Sequence, residues 1–249
     1  MKNIRAIGFD LFNTLIIVEP DTLVHAMKRM ILSLRNNGFS IDEKSYIRDY
    51  RNAASIFVGQ ARKDGKETHN SIWVSHVFKG YGQDIPPGDK RIGEAVDEYF
   101  SEFYERVSLI PNTIETLKKL KEKYTLGLLS NFTHAPAARE ILERTGLAPL
   151  FDTILISGEL GYRKPHPFVF EELAVKLGVE KKNILFTGDD PDPDINGAGS
   201  AGLNPVWFTY ILENSVPVIR GTIQSEITEP EIEAPRAGSW EEFLELLDN

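Results

Sequence analysis

Residues 4–15 of the chain read IRAIGFDLFNTL. The apolar run from Ile4 to Phe9 predicts a buried β-strand, and Asp10 follows directly at its end. A sheet holds a carboxylate at this position still, and the strand end opens onto a crevice, so Asp10 is a candidate nucleophile. Phe12 lies two residues later. A second carboxylate at this position would supply a proton, but the benzyl group of Phe12 cannot.

The rest of the chain divides into a helical part and a part in which strands and helices alternate. Residues 18–107 carry apolar side chains at helical spacing and predict helices without a strand. From Pro111 onward, the alternation predicts a parallel sheet covered by helices on both faces. We therefore expect an α/β fold with a three-layer core domain, residues 1–17 and 108–249, and an inserted all-helical domain, residues 18–107.

The predicted elements after Pro111 are short and closely spaced. The predicted strands are 125–129, 153–157, 183–187 and 205–210, with a short edge strand at 229–233. The predicted helices are 113–123, 135–145, 167–177, 194–201 and 239–247.

Composition excludes several classes of function. Hydrophobic residues make up 41% of the 249 residues and the net charge is −9, so a packed core is expected and a nucleic-acid partner is not. The absence of cysteine excludes disulfides, thiolate catalysis and cysteine-ligated zinc. The N-terminus is a poor secretory signal and no stretch could span a bilayer, so we expect a cytoplasmic protein without a membrane partner. The sequence indicates no oligomeric state.

Polar residues follow the ends of the predicted strands. Because the carboxyl ends of parallel strands meet at one crevice, we expect these residues to lie close to Asp10. A carboxylate, hydroxyl donors, a lysine and further acids suit phosphoryl transfer assisted by a metal ion, and Mg²⁺ prefers such carboxylates. The residues are Ser130 and Asn131 after the second strand, Lys164 after the third, and Asp189 and Asp194 after the fourth.

In this order, the four strand ends resemble the four motifs of the haloacid dehalogenase superfamily. Its members are mostly Mg²⁺-dependent phosphatases, with dehalogenases and a few other hydrolases among them. The resemblance covers nearly the whole chain and implies a Rossmann-like core. The helical part resembles the small helical cap (C1 type) that the superfamily places between its first and second motifs.

The resemblance implies a role for each of these residues. Asp10 would form an aspartyl intermediate, Ser130 and Asn131 would bind the substrate, and Lys164 would neutralise both Asp10 and the substrate. The substrate would be a small phosphorylated or other anionic metabolite. The implied Mg²⁺ ligands are Asp10, the main-chain carbonyl of Phe12, Asp189 and Asp194. Asp194 would bind the ion directly or through another group, or would orient Lys164.

Phe12 departs from the phosphatase pattern, which has Asp at this position. Losing a general acid costs about 10²- to 10⁴-fold in rate, least for acyl and aryl phosphates, whose leaving anions are stable. The superfamily's L-2-haloacid dehalogenases have Tyr there, but they need no metal and lack an acid matching Asp189. A Mg²⁺-dependent phosphatase is therefore favoured, with a dehalogenase-like hydrolase and a weak or inactive binding or regulatory protein as alternatives.

The helical part is expected to cover the crevice and to set the choice of substrate. Several polar and basic side chains of this part are candidates to reach inward. The candidates are His25, Arg51, Arg62, Lys63, His69 and His76, and His134 lies nearer to the predicted site.

Overall fold

The computed structural model describes residues 3–217 and 228–248. The strands in these residues are β1 Ala6–Phe9, β2 Ile16–Val18, β3 Val107–Leu109, β4 Thr125–Ser130, β5 Thr153–Ile156, β6 Ile184–Gly188, β7 Asn204–Phe208 and β8 Arg236–Ala237. Within the described residues, six of them form one sheet in the order β5-β4-β1-β6-β7-β8, and every neighbouring pair is parallel. The other two, β2 and β3, form a separate antiparallel pair.

Helices lie between most of the strands. Those between β2 and β3 are α1 Thr22–Asn36, α2 Glu43–Asp64, α3 Asn70–Gly80 and α4 Lys90–Ser101. The later ones are α5 Thr113–Lys121, α6 Ala135–Arg144, α7 Ser157–Leu160, α8 Pro167–Leu177, α9 Gly197–Ser200, α10 Tyr210–Glu213 and α11 Trp240–Asp248. A π-helical turn, Pro191–Asn196, precedes α9. We call residues 22–101 the helical segment and the rest the core.

β1 lies at the centre of the sheet because both of its faces are apolar. Ile7 and Phe9 pack on one face in a cluster that includes residues of α5, α6 and α11. Ala6 packs on the opposite face in a cluster with residues of α8 and α9. Gly8 also lies on that face, where an added Cβ would come within 3 Å of Leu173 and Phe186. This close packing fixes the strand that carries Asp10.

The helical segment has local signals that start and stop its helices. The side chain of Asp42 accepts a hydrogen bond from Ser45 N at 3.0 Å and so caps α2. Gly65 ends the same helix with a positive φ of 71°, which a residue without Cβ adopts at little cost. Met27, Met30 and Ile31 form the buried face of α1.

The predicted α/β fold with a parallel sheet is confirmed, and two details of the prediction are wrong. Residues 229–233 are not a strand, because the main-chain N–H groups of Glu231 and Ile232 donate to the side chain of Asn196 instead of to a neighbouring strand. The edge of the sheet is β8, which the sequence did not predict. The helical part was also expected to contain no strand, but β2 ends at Val18 and β3 begins at Val107. No helix in residues 3–217 or 228–248 has the length and apolar character needed to cross a membrane.

Candidate active site

Asp10 lies one residue beyond β1, at the carboxyl edge of the sheet and between β4 and β6. Its main-chain N–H donates to Thr187 O at 2.9 Å, which continues the pairing with β6 past the end of the strand. The residue is only 7% exposed. The central strands therefore fix both the position and the burial of the candidate nucleophile.

Lys164 reaches Asp10 from the loop that precedes α8. Its Nζ lies 2.6 Å from Asp10 Oδ1 and 2.6 Å from Asp194 Oδ1, and its side chain is 1% exposed. The ammonium group thus binds two carboxylates at once in a buried site. The contact with Asp10 is a charge-assisted hydrogen bond, which is stronger than a neutral one, and the contact with Asp194 is an ion pair.

Three carboxylates converge at this point. Carboxylate oxygens of Asp10, Asp189 and Asp194 all lie within 4.8 Å of one another. Burial raises the pKa of Asp10 to about 7; the nearby Lys164 opposes this rise, and the charge of Asp194 adds to it. Burial also raises the pKa of Asp189 well above its usual value, and the charges of Asp10 and Asp194 raise it further. We call these three acids and Lys164 the charged cluster.

The charged cluster is suited to a cation. One ammonium group cannot balance the charge of three carboxylates. Ionising all three acids away from water is therefore unfavourable, and this raises the pKa values of Asp10 and Asp189. A bound divalent cation would remove that cost, and carboxylate oxygens are the ligands that Mg²⁺ and Ca²⁺ take in proteins. The cluster could therefore hold a metal ion. The contribution of the Phe12 carbonyl stays a prediction.

Ser130 ends β4, next to β1 in the sheet. It is fully buried, and its Oγ has no hydrogen-bond partner among the described residues. A buried hydroxyl without a partner costs about 1–3 kcal/mol, which a ligand oxygen bound at this point would offset. The position thus fits a group that donates to a substrate oxygen.

Asn131 makes contacts that sequence reasoning did not anticipate. Its Oδ1 accepts from Lys164 N at 2.8 Å and its Nδ2 donates to Lys164 O at 2.9 Å. Both ends of the amide therefore hold the main chain of Lys164. A direct contact of Asn131 with substrate stays a prediction.

Asn13 is a site residue that the sequence analysis missed. Its side chain lies close enough to Asp189 to lower the pKa of that acid against the larger effect of burial. Its φ is 61°, in the left-handed region that Asn tolerates better than most residues. The sequence does show a polar Asn directly after Phe12, and this position could have identified Asn13 as a candidate.

The ring of Phe12 makes an aromatic contact and offers no acid or base. The ring stacks on Phe132 with centroids 4.8 Å apart and planes 19° apart. Phe132 in turn meets the edge of Phe100 of α4 at 5.2 Å. We call these three residues the aromatic stack; it connects the loop after β1 to the helical segment.

Two histidines predicted near the crevice lie between the helical segment and the core. His69 and His134 line a cavity of about 450 Å³. His69 Nδ1 donates to a carbonyl oxygen of the loop after β4 at 3.0 Å, and His134 Nε2 lies 3.0 Å from Asp97 Oδ1. Two other candidates make local contacts, since His25 pairs with an acid one turn earlier and His76 packs against an aromatic ring of α2.

The remaining candidates are basic residues of α2. Arg51, Arg62 and Lys63 are all exposed. Arg62 lowers the pKa of Asp192 against the larger effect of burial, so the two charges lie within electrostatic reach. Asp192 belongs to the turn after Asp189 and lies outside the charged cluster.

Known proteins with similar sequences are hydrolases, and several of them are named as phosphatases. The family of haloacid dehalogenase-like hydrolases matches residues 4–202. Ribulose-1,5-bisphosphate 5-phosphatase from Halopiger xanaduensis is 29% identical over 211 residues, 82% of this chain and 84% of that protein. Phosphoglycolate phosphatase from Haemophilus influenzae is 28% identical over 216 residues, 86% and 89% of the two chains.

A solved structure shares the fold at lower sequence identity. The 2-haloacid dehalogenase from Pseudomonas syringae superposes with a TM-score of 0.72 and 20% identity over 98% of each chain. The family match spans most of this chain, from the strand that precedes Asp10 to the residues after α9. The chain therefore belongs to the haloacid dehalogenase-like hydrolases.

Proposed function

We propose that this protein is a Mg²⁺-dependent phosphatase that acts on a small phosphorylated metabolite through an aspartyl-phosphate at Asp10. The observation that carries the proposal is the charged cluster, in which oxygens of three carboxylates converge and two of the acids, Asp10 and Asp194, are buried against Lys164. Relatives named as phosphatases that cover more than four-fifths of the chain support the same reaction.

In the proposed reaction, an oxygen of Asp10 attacks the phosphorus atom. The Asp–O–P bond forms as the bond from phosphorus to the leaving oxygen breaks, and the electron pair departs with the leaving group. Lys164 stabilises the charge that develops around Asp10, and Ser130 donates to a phosphoryl oxygen. Mg²⁺ held by Asp10, Asp189 and Asp194 would supply further positive charge for the phosphoryl oxygens.

The proton steps set the substrate class. Phe12 can neither protonate a leaving alkoxide nor activate the water that hydrolyses the aspartyl-phosphate. Substrates whose leaving group departs as a stable anion, such as acyl and aryl phosphates, lose least. Hydrolysis of the intermediate becomes slow, so the phosphorylated enzyme is expected to accumulate during turnover.

We also propose that residues 18–107 act as a cap over the crevice. The aromatic stack and the contact of His134 with Asp97 of α4 join them to the loops that surround the site. A cap placed there would exclude water and select the substrate.

The test compares purified protein on acetyl phosphate, p-nitrophenyl phosphate, glycerol 3-phosphate and 2-chloropropionate, with and without Mg²⁺. We expect metal-dependent turnover of the first two, much slower release from the third, and none from the fourth. Asp10→Asn is the control for each activity. Metal-independent turnover of phosphates, or none at all, contradicts the proposal.

A second candidate is a dehalogenase-like hydrolase, favoured by the aromatic residue at Phe12, because halide leaves without a proton. Chloride release from 2-chloropropionate without Mg²⁺ supports this candidate. A third is a weak or inactive binding or regulatory protein, favoured by the missing proton chemistry. Mg²⁺ and phosphate binding without turnover of any substrate supports it.

A further inference from the structure

The loop between α2 and α3 pairs with the core loop that carries Lys164. Glu67 N donates to Gly161 O at 2.9 Å, and Arg163 N donates to Gly65 O at 2.9 Å. An antiparallel bridge joins Lys66 to Tyr162 between these two bonds. The helical segment therefore lies directly against the main chain that leads into Lys164.

The side chain of Glu67 is fully buried in this contact. Its carboxylate lies 3.1 Å from Nη1 of Arg163, whose own side chain is 6% exposed. It also accepts from Ser157 Oγ at 2.5 Å and from Thr68 N at 2.8 Å. A buried ion pair with its hydrogen bonds satisfied is strongly disrupted when one partner is removed, because the remaining charge is left uncompensated.

Glu67 is connected to both loops that supply the candidate substrate-binding groups. Arg163 immediately precedes Lys164, whose main chain Asn131 holds from the other side. Ser157 Oγ accepts from Phe132 N at 2.8 Å, so the same carboxylate also supports the loop that follows Ser130. One residue of the helical segment thus joins the loop after β4 to the loop before α8.

We infer that Glu67 is a positioning residue: through the buried Glu67–Arg163 pair, the helical segment fixes Lys164 against Asp10. The inference rests on the proposed function for its effect on catalysis. A lysine side chain has many rotamers, and Lys164 must place one nitrogen 2.6 Å from two carboxylates. A shift of about 1 Å in such a group costs roughly 100-fold in rate.

The first variant is Glu67→Gln, which keeps the shape of the side chain and removes its charge. We expect kcat for acetyl phosphate to fall about 100-fold with little change in KM, the pattern of a contact that matters mainly in the transition state. Asp97→Asn is the matched control, because Asp97 joins the helical segment to His134 without touching the loop of Lys164. The control is expected to keep the wild-type kcat.

A second readout needs no substrate. Acetic anhydride modifies accessible, unprotonated lysines, and peptide mass spectrometry gives the rate at residue 164. We expect Lys164 to be protected in the wild type and in Asp97→Asn, and to react several-fold faster in Glu67→Gln. Hydrogen exchange of the β1 amides measures how often the whole protein unfolds, so acetylation of Lys164 that is much faster than this exchange shows that global unfolding is not the cause. If the wild type hydrolyses no phosphate, the proposed function fails while this readout still tests the positioning.

The double variant Glu67→Met/Arg163→Met separates positioning from stability, and serves if Glu67→Gln does not fold. It removes both charges together, so stability is expected to recover. We expect Lys164 to stay reactive and kcat to stay low, because the pair that holds the loop is gone. Recovery of kcat and of Lys164 protection together with stability would overturn the inference, as would a Glu67→Gln protein that matches the wild type in both readouts.

Discussion

The charged cluster and the aromatic stack begin two residues apart on one loop, and they are held in different ways. The charged cluster is held by the core: its acids follow β1 and β6, and Asn131 after β4 fixes the main chain of Lys164. The aromatic stack joins the core to the helical segment through the contact of Phe132 with Phe100. Residue 12 is the position where an acid would transfer a proton, and there the chain has Phe12, which belongs to the contact between the core and the helical segment.

The charged cluster contains the groups for attack on the substrate, whereas the aromatic stack occupies the position of the group for proton transfer. Parallel strands place the candidate nucleophile, a cation and the candidate metal ligands with little help from the helical segment, apart from the proposed action of Glu67 on Lys164. The stacked ring of Phe12 contributes packing and no acid or base.

Replacing the nucleophile is expected to have the largest effect. Asp10→Asn should lower kcat for acetyl phosphate by roughly 10⁴-fold or more, because removing a covalent nucleophile removes the reaction path. Quenched-flow labelling with ³²P should find no phosphorylated protein in this variant. The aromatic stack should be unaffected, and a variant that retains a tenth of the wild-type activity would rule out Asp10 as the nucleophile.

Restoring a carboxylate at residue 12 should have the next largest effect. Phe12→Asp is expected to raise turnover of glycerol 3-phosphate by about 10²- to 10⁴-fold, because a general acid–base is regained. Accumulated phosphoenzyme should fall at the same time. Phe12→Leu is the control, since it also breaks the stack but supplies no acid, and its activity should stay near that of the wild type. Unchanged activity in a folded Phe12→Asp protein would refute this account of Phe12.

The sequence allowed the core to be predicted because its signals are local and repeated. The apolar run before Asp10 and the strand–helix rhythm after Pro111 each specify an element from neighbouring residues. The helix 167–177 was predicted with the bounds that α8 has in the structure. The pair β2 and β3 was missed because each strand has three residues, too few to show alternation, and β8 has two.

The candidate site could be predicted only in part. Residues at strand ends are identifiable because parallel strands bring them together, as the charged cluster shows. Glu67 gave no comparable signal, since its partner Arg163 is 96 residues away along the chain. The contact of Asn131 with Lys164 was likewise invisible, because a long-range hydrogen bond leaves no periodic pattern in the sequence.

Metal binding should depend on pH through the charged cluster. The folded-state pKa of Asp10, about 7, lies above its ordinary value of 3.8. In the metal-free protein the folded state therefore binds more protons than the unfolded state between these values. The free energy of unfolding should fall as pH rises through that window. Mg²⁺ needs the ionised carboxylate, so its affinity should rise by up to about tenfold per pH unit toward the folded pKa of Asp10, and the raised pKa of Asp189 acts in the same direction.

Isothermal titration calorimetry in two buffers of different ionisation enthalpy measures both the affinity and the protons released. Asp192→Asn is the control, because this acid lies on the same loop but outside the charged cluster. It should keep the pH dependence of the wild type, whereas Asp10→Asn should reduce it. An affinity that does not change between about pH 5.5 and 7 would show that Asp10 is already ionised without metal.

Loosening the aromatic stack should have the smallest effect on catalysis. Phe132→Leu removes the ring that contacts both Phe12 and Phe100 and should lower the free energy of unfolding by about 1–2 kcal/mol. A double-mutant cycle with Phe12→Leu, measured by urea unfolding, should give a coupling of about 0.5–1.5 kcal/mol for the stacked pair. The kcat for acetyl phosphate should stay within about twofold, because the ring touches none of the charged cluster. If Phe132→Leu instead lowered kcat as strongly as Glu67→Gln, the aromatic stack would also position the site, and attack chemistry would depend on the helical segment through two contacts.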